Sequence, residues 1–497
     1  MSARPDAAPQ VRNAMHDLLG QQWVKDLFQE VRARQPGSGA VVEEVRSLHP
    51  ASHMLRPFLS PQLPPAMAEA SGGRIVDVDG NEYIDCHLGF STQSLHGHNP
   101  EPVVAYVRDR MRTGVGNGNL HPLERDLALL MREFVPHCEQ FAFLNSGTEA
   151  VRTAVKLARA HTGRRMVAKF EGAVHGSYDL AVHNSAFWYH GHPAVPFPPI
   201  GPDGVGRTPF EPGVPTAGPD DLLVLPNDTA AAVELIERHA AELACVLAEP
   251  ALSAFPFPEV TVPTTREVAL TCRRLGVPVV LDEVLTGFRF GPGGAARAFD
   301  IPADLYCYGK VMSGLAIPIS AVGGRGEIME RARTSGRYAA DLGGRVSVAG
   351  THTANHLALC ASYATLSLLR DKGEEYYAET RAKVTLIRER LAVFRAEHGI
   401  PLWLTGFGDF MGGFQLLPKE SFTDYREYAG AVNPALSLLS LMLRLRGVYT
   451  LNSPVFFTGG AHDKADIETV VAAVTDSMLT MRRNGFPLDL TAGAAAR

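Results

Sequence analysis

The stretch FAFLNSGTEAVRTAVKLARAH, residues 141–161, changes its hydrophobic pattern twice within a few residues. A short apolar run ends at Leu144, a small polar turn follows up to Thr148, and apolar residues then recur every three or four positions. The first pattern is typical of a buried strand and the last of an amphipathic helix. A strand, a short turn and a helix in this order form the repeating unit of an α/β sheet.

Further apolar runs alternate with helical patterns between about residues 100 and 310. Two of them are CVLAEP, residues 245–250, and VPVVLDEV, residues 277–284. Strands that are apolar along their whole length are typical of parallel sheets with helices on both faces. We therefore expect an α/β fold, with a mostly parallel central sheet in a large domain, accompanied by a smaller α+β domain.

The chain is predicted to divide into an N-terminal arm, the N-terminal part of the small domain, the large domain and the C-terminal small domain: 1–70, 71–100, 101–355 and 356–497. In the arm, a helical pattern from about Val11 to Val31 is followed by the Pro/Gly/Ser stretch RQPGSG. Asp79-Gly80-Asn81, between alternating residues, is a hairpin signature.

Two features are predicted for the loops and the C-terminal part. The segment 192–220 is rich in Pro and Gly and is expected to be a long surface loop. After residue 355, long helical patterns dominate, and a strand pair is expected near GDFMGGFQLL and GVYTL.

Composition and charge exclude several classes of protein. The 497 residues carry a net charge of −6 with acidic and basic residues interspersed, so no cluster of Lys and Arg indicates a nucleic-acid partner. No apolar stretch is long enough to cross a bilayer, and the N-terminus lacks the apolar run of a signal peptide. The six cysteines are scattered without a Cys-x-x-Cys pair, which favours a reduced, cytoplasmic protein without a zinc site.

The turn before the helix at residue 147 has the composition of an anion site. Gly147 permits close approach to the backbone, and the first turn of a helix has N–H groups without intrahelical partners. Ser146, Gly147 and Thr148 therefore form a candidate phosphate cradle. The alternative is that Ser146 or Thr148 only caps the helix.

A pair of carboxylates follows another apolar strand. Asp282 and Glu283 stand at the end of VPVVLD, and ligands of open α/β sheets bind at the carboxyl ends of the strands. A carboxylate there can pair with a cationic ring nitrogen or with a metal; the alternative is a structural pair with Arg289. No cluster of histidines and carboxylates at ligand spacing supports the metal.

Lys310 is the only charged residue of LYCYGKVMSGL, residues 305–315. Apolar surroundings disfavour the charged form of a lysine and lower its pKa. A phosphate cradle, a carboxylate and a desolvated lysine on one sheet edge are the parts that a pyridoxal phosphate site needs. The lysine would form the Schiff base and later move a proton, while Asp282 would keep the ring nitrogen protonated.

A competing motif is GPGGAA, which begins at Gly291 and fits the G-x-G-x-x-A fingerprint of dinucleotide-binding proteins. That fingerprint directly follows a strand and has an acidic residue about 20 positions further on. Here the motif follows TGFRF, in the loop after Asp282, so a nicotinamide site is the weaker interpretation.

Several motifs occur in the order found in one enzyme family: DVDGNEYID, GHNPE, NSGTEA, ARAHTGRR, KFEG, LPND, LAEP, LDEVLTGFR, YGKVMSG and AGTHTANHLA. On these motifs the chain resembles, over roughly residues 70–480, the class III aminotransferases of fold type I. Within them it is most similar to the glutamate-1-semialdehyde aminomutase branch. The resemblance implies a pyridoxal-phosphate-dependent enzyme that works as a homodimer with shared active sites.

The resemblance also assigns roles to single residues. Lys310 matches the Schiff-base lysine, Asp282 the partner of the ring nitrogen, and residues 146–148 the phosphate cradle. Thr351, in AGTHT, matches a threonine that reaches the phosphate from the neighbouring subunit. Val284 is expected to pack on one face of the cofactor ring.

Three further polar residues match weaker positions of the family. Asn227, in LPND, is expected to contact the hydroxyl of the cofactor, or else to form an Asx turn. Glu249, in LAEP, and Glu171, in KFEG, are expected to support the cofactor contacts from behind, or else to be plain carboxylates at strand ends.

The chain departs from the family where the cofactor ring is expected. The family has an aromatic in F-E-G-x-Y-H-G, where FEGAVHG has Val174 followed by His175. A valine cannot stack like an aromatic ring. Either His175 or another aromatic therefore covers that face, or the pocket is widened for a bulkier substrate.

Other departures concern the expected substrate side. After Lys310, SGLAIPISA keeps Gly314 and Pro318 but loses most glycines of the gate that the aminomutase branch prefers. The strip after Asp85, CHLGFSTQSLHGH, lacks the usual tryptophan and is one residue longer. Arg56, in HMLRPF, matches an arginine that binds substrate carboxylates; the alternative is an exposed arm residue.

These departures favour an aminotransferase that moves an amino group from an amino acid or amine donor to a keto or aldehyde acceptor by a ping-pong mechanism. The alternative is an aminomutase, which moves the amino group within one substrate and needs no separate donor. A protein that only binds or scaffolds is disfavoured because Lys310 and Asp282 are both kept. Decarboxylases and racemases on the same fold are a further alternative.

Overall fold

A computed structural model describes residues 18–49, 64–114, 116, 118–185, 197–209, 213–218, 220–407, 410–432, 434–450, 455–486 and 488. Arg56 and the beginning of the predicted arm helix lie outside these residues. In the described part, no helix combines the length and the apolar character needed to cross a membrane.

The helices are α1 (Gln22–Arg34), α2 (Pro36–Leu48), α3 (Glu101–Met111), α4 (Pro122–Phe134), α5 (Gly147–Thr162), α6 (Thr229–His239), α7 (Pro258–Leu275), α8 (Gly294–Ala298), α9 (Gly326–Met329), α10 (Tyr338–Asp341), α11 (His356–His398, broken at Gly373), α12 (Tyr425–Ala431), α13 (Leu438–Leu445) and α14 (Lys464–Arg483).

The strands are β1 (Met67–Ser71), β2 (Arg74–Asp77), β3 (Glu82–Asp85), β4 (Gln140–Leu144), β5 (Met166–Phe170), β6 (Ile200–Gly201), β7 (Gly204–Val205), β8 (Leu222–Leu225), β9 (Leu243–Ala248), β10 (Val279–Asp282), β11 (Leu305–Tyr308), β12 (Ser320–Gly324), β13 (Leu402–Thr405), β14 (Met411–Leu416), β15 (Val448–Tyr449) and β16 (Val455–Phe457).

The central sheet has seven strands in the order β4-β12-β11-β10-β9-β5-β8. From β11 to β8 the neighbours are parallel, whereas β12 runs antiparallel to both β11 and β4. Strands β5, β8, β9 and β10 are buried along their whole length. This confirms the predicted α/β fold with a mostly parallel sheet, because only a sheet covered on both faces can bury every strand residue.

Successive strand residues pack against cores on opposite faces of the sheet. On one face, Val167, Leu247 and Val280 pack with residues of α5 that recur at helical spacing: Ala150, Val151, Ala154, Val155 and Ala158. On the other face, strand residues pack with α4, α7 and α11: Ala168, Val246, Leu281, Leu127, Val268 and Leu359. The two-residue period of the strands assigns each side chain to one face.

The remaining strands form smaller sheets. The predicted hairpin is confirmed, since β2 and β3 pair antiparallel with Ile75 opposite Tyr83. Strand β15, from GVYTL, pairs parallel with β3, whereas β14, from GDFMGGFQLL, pairs with β13 and β16. The prediction that these two stretches pair with each other is therefore wrong. Periodicity marks a strand but does not reveal a partner that comes from the N-terminal hairpin.

The stretch RQPGSG is a junction between two helices. Pro36 begins α2, where a missing N–H is tolerated and a preset φ is suitable. The N–H groups of Gly37 and Ser38 donate to the Asp79 carboxylate at 2.6 and 2.8 Å. A carboxylate from the β2–β3 hairpin thus stabilises a helix start in the arm. Within the segment 192–220, the described residues include the short hairpin β6–β7.

The parallel strands of the central sheet bring their carboxyl ends to one edge. The segments that leave this edge follow Leu144, Phe170, Leu225, Ala248, Asp282 and Tyr308. They carry the predicted site residues 146–148, 174–175, 227, 249, 282 and 310. The topology therefore gathers residues that are far apart in the chain.

The predicted division of the chain into an N-terminal arm, a large domain and two parts of a small domain stays a prediction.

Candidate active site

Asp282 and His175 meet at the end of strand β10. The Oδ2 atom of Asp282 lies 2.9 Å from Nδ1 of His175, and Oδ1 accepts a hydrogen bond from the N–H of Val284 at 3.1 Å. Both side chains are buried. Burial lowers the pKa of His175, and the Asp282 carboxylate opposes this change. The arrangement fits a neutral imidazole that donates its Nδ1–H to an ionised carboxylate.

Lys310 lies two residues after the end of strand β11 at Tyr308, with Gly309 between them. Its φ of 46° lies in the left-handed region, which is unusual for a residue with a long side chain. Burial lowers the pKa of Lys310, the Asp282 charge opposes the lowering, and the Arg289 charge adds to it. The Lys310 amine is therefore biased toward the neutral form, which is the form that attacks a carbonyl.

The start of helix α5 combines a capped side chain with free backbone donors. Ser146 is the N-cap, and its Oγ accepts a hydrogen bond from the N–H of Glu149 at 3.2 Å. The Ser146 side chain therefore caps the helix, as the alternative interpretation of this turn expected. The N–H groups of Gly147 and Thr148 have no acceptor in the described part of the chain. Such first-turn donors are the groups that bind an anion at a helix N-terminus.

Val284 packs directly on this helix start. A Cβ atom at Gly147 would lie 2.9 Å from Cγ1 of Val284, so the contact requires a glycine. On the other side, Thr148 Oγ1 accepts a hydrogen bond from the N–H of Ser177 at 3.3 Å. The residue predicted to face the cofactor ring and the residues predicted to bind its phosphate are therefore in contact.

The loop after strand β5 brings Val174 to the same edge. Its N–H donates to Oε1 of Glu249 at 2.9 Å, and the N–H of Ser253 donates to Oε2 at 3.2 Å. Burial raises the pKa of Glu249 to about 7. The Glu249 carboxylate therefore supports the backbone of the loop, and its predicted place behind the cofactor contacts stays a prediction.

The side chain of Asn227 contacts the backbone of Glu171. The Nδ2 of Asn227 donates to the carbonyl oxygen of Glu171 at 2.9 Å. The Glu171 carboxylate accepts two hydrogen bonds from Arg426, at 2.8 and 3.0 Å. Burial raises the pKa of Glu171, and the Arg426 charge opposes this. These bonds tie the loop after β5 to helix α12, and the contact of Asn227 with a cofactor hydroxyl stays a prediction.

Two predicted residues are not connected to this edge by the structure. Thr351 is exposed in the segment before helix α11, and it makes no hydrogen bond to the residues described above. Its exposure leaves it accessible to a second copy of the chain, but that contact stays a prediction. Arg56 lies outside the described residues.

The glycines of the motif GPGGAA make room for the side chain of Glu283. Its buried carboxylate accepts hydrogen bonds from Thr286 Oγ1 at 2.6 Å and from the N–H groups of Ala295 and Ala296 at 3.1 and 2.7 Å. A Cβ atom at Gly294 would lie 2.8 Å from the carboxylate oxygens. The glycines and the start of α8 thus enclose a side chain of the protein, which removes the dinucleotide interpretation.

Arg289 does not pair with Asp282 or Glu283, the carboxylates that the sequence suggested as its partners. Its Nη2 donates to the carbonyl oxygen and to Oγ of Ser91, at 2.9 and 2.7 Å, and its guanidinium lies 4.7 Å from the centroid of the Phe410 ring. It makes no salt bridge with either carboxylate at the end of β10 in the described part of the chain. Arg289 therefore stabilises the strip after Asp85.

Lys169 is a buried residue that sequence patterns did not single out. Its Nζ donates to three carbonyl oxygens, those of Ala173, Ala181 and His183, at 3.1, 2.8 and 2.7 Å. The signal was present in the sequence, because Lys169 is the only charged residue of the apolar strand MVAKF. The same observation had identified Lys310.

The residues at this edge fit pyridoxal phosphate. Asp282 supplies a buried carboxylate for a cationic ring nitrogen, the N–H groups of Gly147 and Thr148 suit a phosphate, and Lys310 supplies an amine for an aldehyde. The Nε2 atom of His175 is buried and has no hydrogen-bond partner in the described part of the chain. A buried polar atom of this kind usually has a partner in the complete site.

Comparison with known proteins identifies the family. A family model described as aminotransferase class-III matches residues 60–421. Among curated proteins, glutamate-1-semialdehyde 2,1-aminomutase of Aquifex aeolicus (strain VF5) is 33% identical over 426 residues, which cover 83% of this chain and 91% of the relative.

Solved structures agree with this assignment. An omega-transaminase from Sphaerobacter thermophilus matches with a TM-score of 0.80 and 28% identity, over 91% of this chain and 99% of the other. A beta-phenylalanine aminotransferase from Variovorax paradoxus matches with a TM-score of 0.77 and 26% identity, over 93% and 98%. The chain therefore belongs to the class III aminotransferases, and it is a pyridoxal-phosphate-dependent enzyme of fold type I.

Proposed function

We propose that this enzyme is an aminotransferase that moves an amino group from an amino acid or amine donor to a keto or aldehyde acceptor in a ping-pong cycle. The observation that carries the proposal is the position of Lys310, whose pKa is lowered by burial, at the same sheet edge as the Asp282–His175 pair. The free N–H groups of α5 lie at that edge as well.

The chain's residues divide the chemical work. When bound, the cofactor supplies an electron-withdrawing ring that stabilises negative charge on the substrate carbon. Lys310 would hold the cofactor before substrate binds, and its Nζ would then move a proton between the substrate carbon and the cofactor carbon. The lowered pKa of Lys310 favours acceptance. Asp282 would place its carboxylate opposite the ring nitrogen, and His175 orients that carboxylate.

The remaining contacts fix the position of the cofactor. The N–H groups of Gly147 and Thr148 would bind the phosphate, and Val284, which packs on the start of α5, would contact the ring. Thr351 of a second copy would reach the phosphate, which would make the active form a homodimer. Arg56 is proposed to bind a substrate carboxylate.

The segment after Lys310 favours an aminotransferase over an aminomutase. Gly314, Leu315 and Ala316 have φ values of 33°, 53° and 56°, so the chain makes a left-handed turn there. A Cβ atom at Gly314 would collide with the Ala361 carbonyl oxygen of α11. This turn is pinned against a long helix and lacks the run of glycines that the aminomutase branch prefers.

The aminomutase is the second candidate, because the curated relative at 33% identity has that name. The two functions differ in one requirement. An aminotransferase converts the cofactor to its aminated form with a separate donor, whereas an aminomutase starts from the aminated form and releases no deaminated donor, because the amino group moves within one substrate.

A spectral titration distinguishes them. The purified holoenzyme is mixed with a broad panel of amino acid and amine donors while visible absorbance and keto acid or aldehyde release are recorded. We expect at least one donor to shift the absorbance and to release a stoichiometric product, which an acceptor then reverses. Absence of release from every donor, combined with isomerisation of a vicinal amino aldehyde by the aminated enzyme, would establish the aminomutase instead.

A further inference from the structure

The peptide group between Ala173 and Val174 is held by two buried side chains of opposite charge. Its carbonyl oxygen accepts a hydrogen bond from Nζ of Lys169 at 3.1 Å. Its N–H donates to Oε1 of Glu249 at 2.9 Å. No salt bridge joins Lys169 and Glu249 directly in the structure, so the two charges meet through this one peptide group.

Both side chains are buried enough for the contact to matter. Lys169 is 0% exposed and Glu249 is 7% exposed. In surroundings of low dielectric, a peptide whose oxygen accepts from a lysine and whose N–H donates to a carboxyl group is strongly oriented, because each hydrogen bond polarises the next. A peptide fixed at both ends has little freedom to rotate.

The geometry around Lys169 fits an ammonium group. Three carbonyl oxygens accept from Nζ, and an ammonium has three N–H donors whereas a neutral amine has two. Burial lowers the pKa of Lys169 to about 7, and the Glu249 charge opposes this lowering. The other two acceptors, the carbonyls of Ala181 and His183, lie further along the same segment, so one lysine joins two parts of it.

The residues next to the fixed peptide are the ones predicted to face the cofactor. Val174 provides the fixed N–H, and His175 follows it and contacts Asp282 at 2.9 Å. The Val174 side chain has too little contact area to hold the loop against a ring by stacking. Bonds to the backbone are therefore what determines its position.

We propose that Lys169 and Glu249 are positioning residues that act together, through the Ala173–Val174 peptide, to hold Val174 and His175 at the cofactor. The inference rests on the proposed use of this sheet edge as the pyridoxal phosphate site. It adds Lys169 and gives Glu249 a specific role: neither touches the reacting atoms, but together they determine the geometry of two residues beside them.

The test uses three variants of the full-length enzyme: Lys169→Met, Glu249→Gln and the double variant. Lys156→Met is the matched control, because Lys156 is exposed and donates to a single backbone carbonyl, that of Ser347, at 3.1 Å. The readouts are the dissociation constant of pyridoxal phosphate from the reconstituted enzyme and the visible circular dichroism of the bound cofactor, which reports its orientation.

We expect each single variant to weaken cofactor binding at least tenfold and to reduce the visible circular dichroism by at least half. Because both residues act through one peptide, the double variant should be no worse than the weaker-binding single variant. The control should match the wild type. Wild-type binding and dichroism in Glu249→Gln, which keeps the shape of the side chain, would overturn the proposal even if Lys169→Met fails to fold.

The proposal is also overturned if the loss of cofactor affinity in the double variant equals the product of the losses in the two single variants, since that would indicate two independent effects. These readouts do not depend on turnover. If the wild-type enzyme binds the cofactor but accepts no amino donor, the proposed aminotransferase function fails while the positioning inference is still decided by binding and dichroism.

Discussion

The Nδ1 atom of His175 lies 2.9 Å from Oδ2 of Asp282, and both side chains are buried at the end of the central sheet. One residue comes from the loop after β5 and the other from the last position of β10. The contact therefore links the position of that loop to the carboxylate proposed to face the ring nitrogen of the cofactor.

Replacing His175 tests this link. His175→Phe keeps an aromatic ring but removes the donor, so one oxygen of the buried Asp282 loses its partner. We expect kcat/KM to fall by about tenfold or more, together with weaker cofactor binding. His175→Asn, which retains a donor, should lose less. Equal activity in both variants and the wild type would show that Asp282 does not need this partner.

Replacing Lys310 tests the proposed covalent attachment of the cofactor. Lys310→Ala removes the amine that is proposed to attach the cofactor. The variant should lose the visible absorbance of the attached cofactor and turnover by roughly a thousandfold or more. Lys156→Ala, an exposed lysine on α5, is the control. Unchanged colour and turnover in the Lys310 variant would contradict the assignment.

Enlarging Val174 tests whether the valine widens the substrate pocket. Val174→Tyr adds a ring on the side proposed for the cofactor and substrate. We expect kcat/KM for bulky acceptors to fall by about tenfold relative to small ones, as measured by steady-state kinetics on an acceptor series. The steric explanation fails if both kinds of acceptor are affected equally.

Filling the space at Gly147 tests the helix start. In Gly147→Ala the new methyl would lie 2.9 Å from Val284, so the backbone donors must shift. We expect cofactor affinity to fall by about tenfold or more, although alanine is a better helix former than glycine. Adding Val284→Ala should restore part of the affinity by removing the clash.

Gly430→Ala is the control for this series, because nothing lies within 4 Å of a Cβ atom built at Gly430 in α12. The control should bind the cofactor as the wild type does. A Gly147→Ala variant with wild-type affinity would mean that the start of α5 does not bind the phosphate.

The buried carboxyl of Glu283 predicts a pH dependence of stability. Burial raises its pKa to about 7 despite the three donors around it, whereas the unfolded chain has a value near 4.5. The folded state therefore keeps a proton that the unfolded state releases in this window. The stabilising contribution is complete below about pH 4.5 and is lost as the pH rises through about 7.

Thermal denaturation measures this effect. Relative to Glu283→Gln, which does not titrate, the wild type should lose up to about 3 kcal/mol of stability between pH 4.5 and 8. The difference in Tm between the two proteins should change accordingly. Parallel curves over this range would show that Glu283 is already ionised in the folded protein at low pH.

Much of the local structure could be predicted from the hydrophobic pattern of the sequence. The strand, turn and helix of residues 141–161 are β4 and α5, and the apolar runs ending at Ala248 and Asp282 are β9 and β10. Such elements are predictable because burial of a strand or of one helix face imposes its period on neighbouring residues. The stretch RQPGSG was harder, because Pro36 is equally suited to end a helical segment and to begin one.

Contacts between residues that are far apart in the sequence could not be predicted from local patterns. The stretch GVYTL pairs with β3 because the N-terminal hairpin lies beside it in space. Arg289 contacts Ser91, and Lys169 contacts the carbonyl of His183. Nothing in the local pattern of either partner specifies the other.

Residue types and their positions at strand ends could therefore be read from the sequence alone and indicated the cofactor, while the resemblance of its motifs indicated the family. The order β4-β12-β11-β10-β9-β5-β8, and with it the meeting of His175 with Asp282 and of Val174 with Glu249, was decided only by the folded sheet. The physical reason is that periodicity reports which face of an element is buried, whereas a site depends on which buried faces are brought against each other.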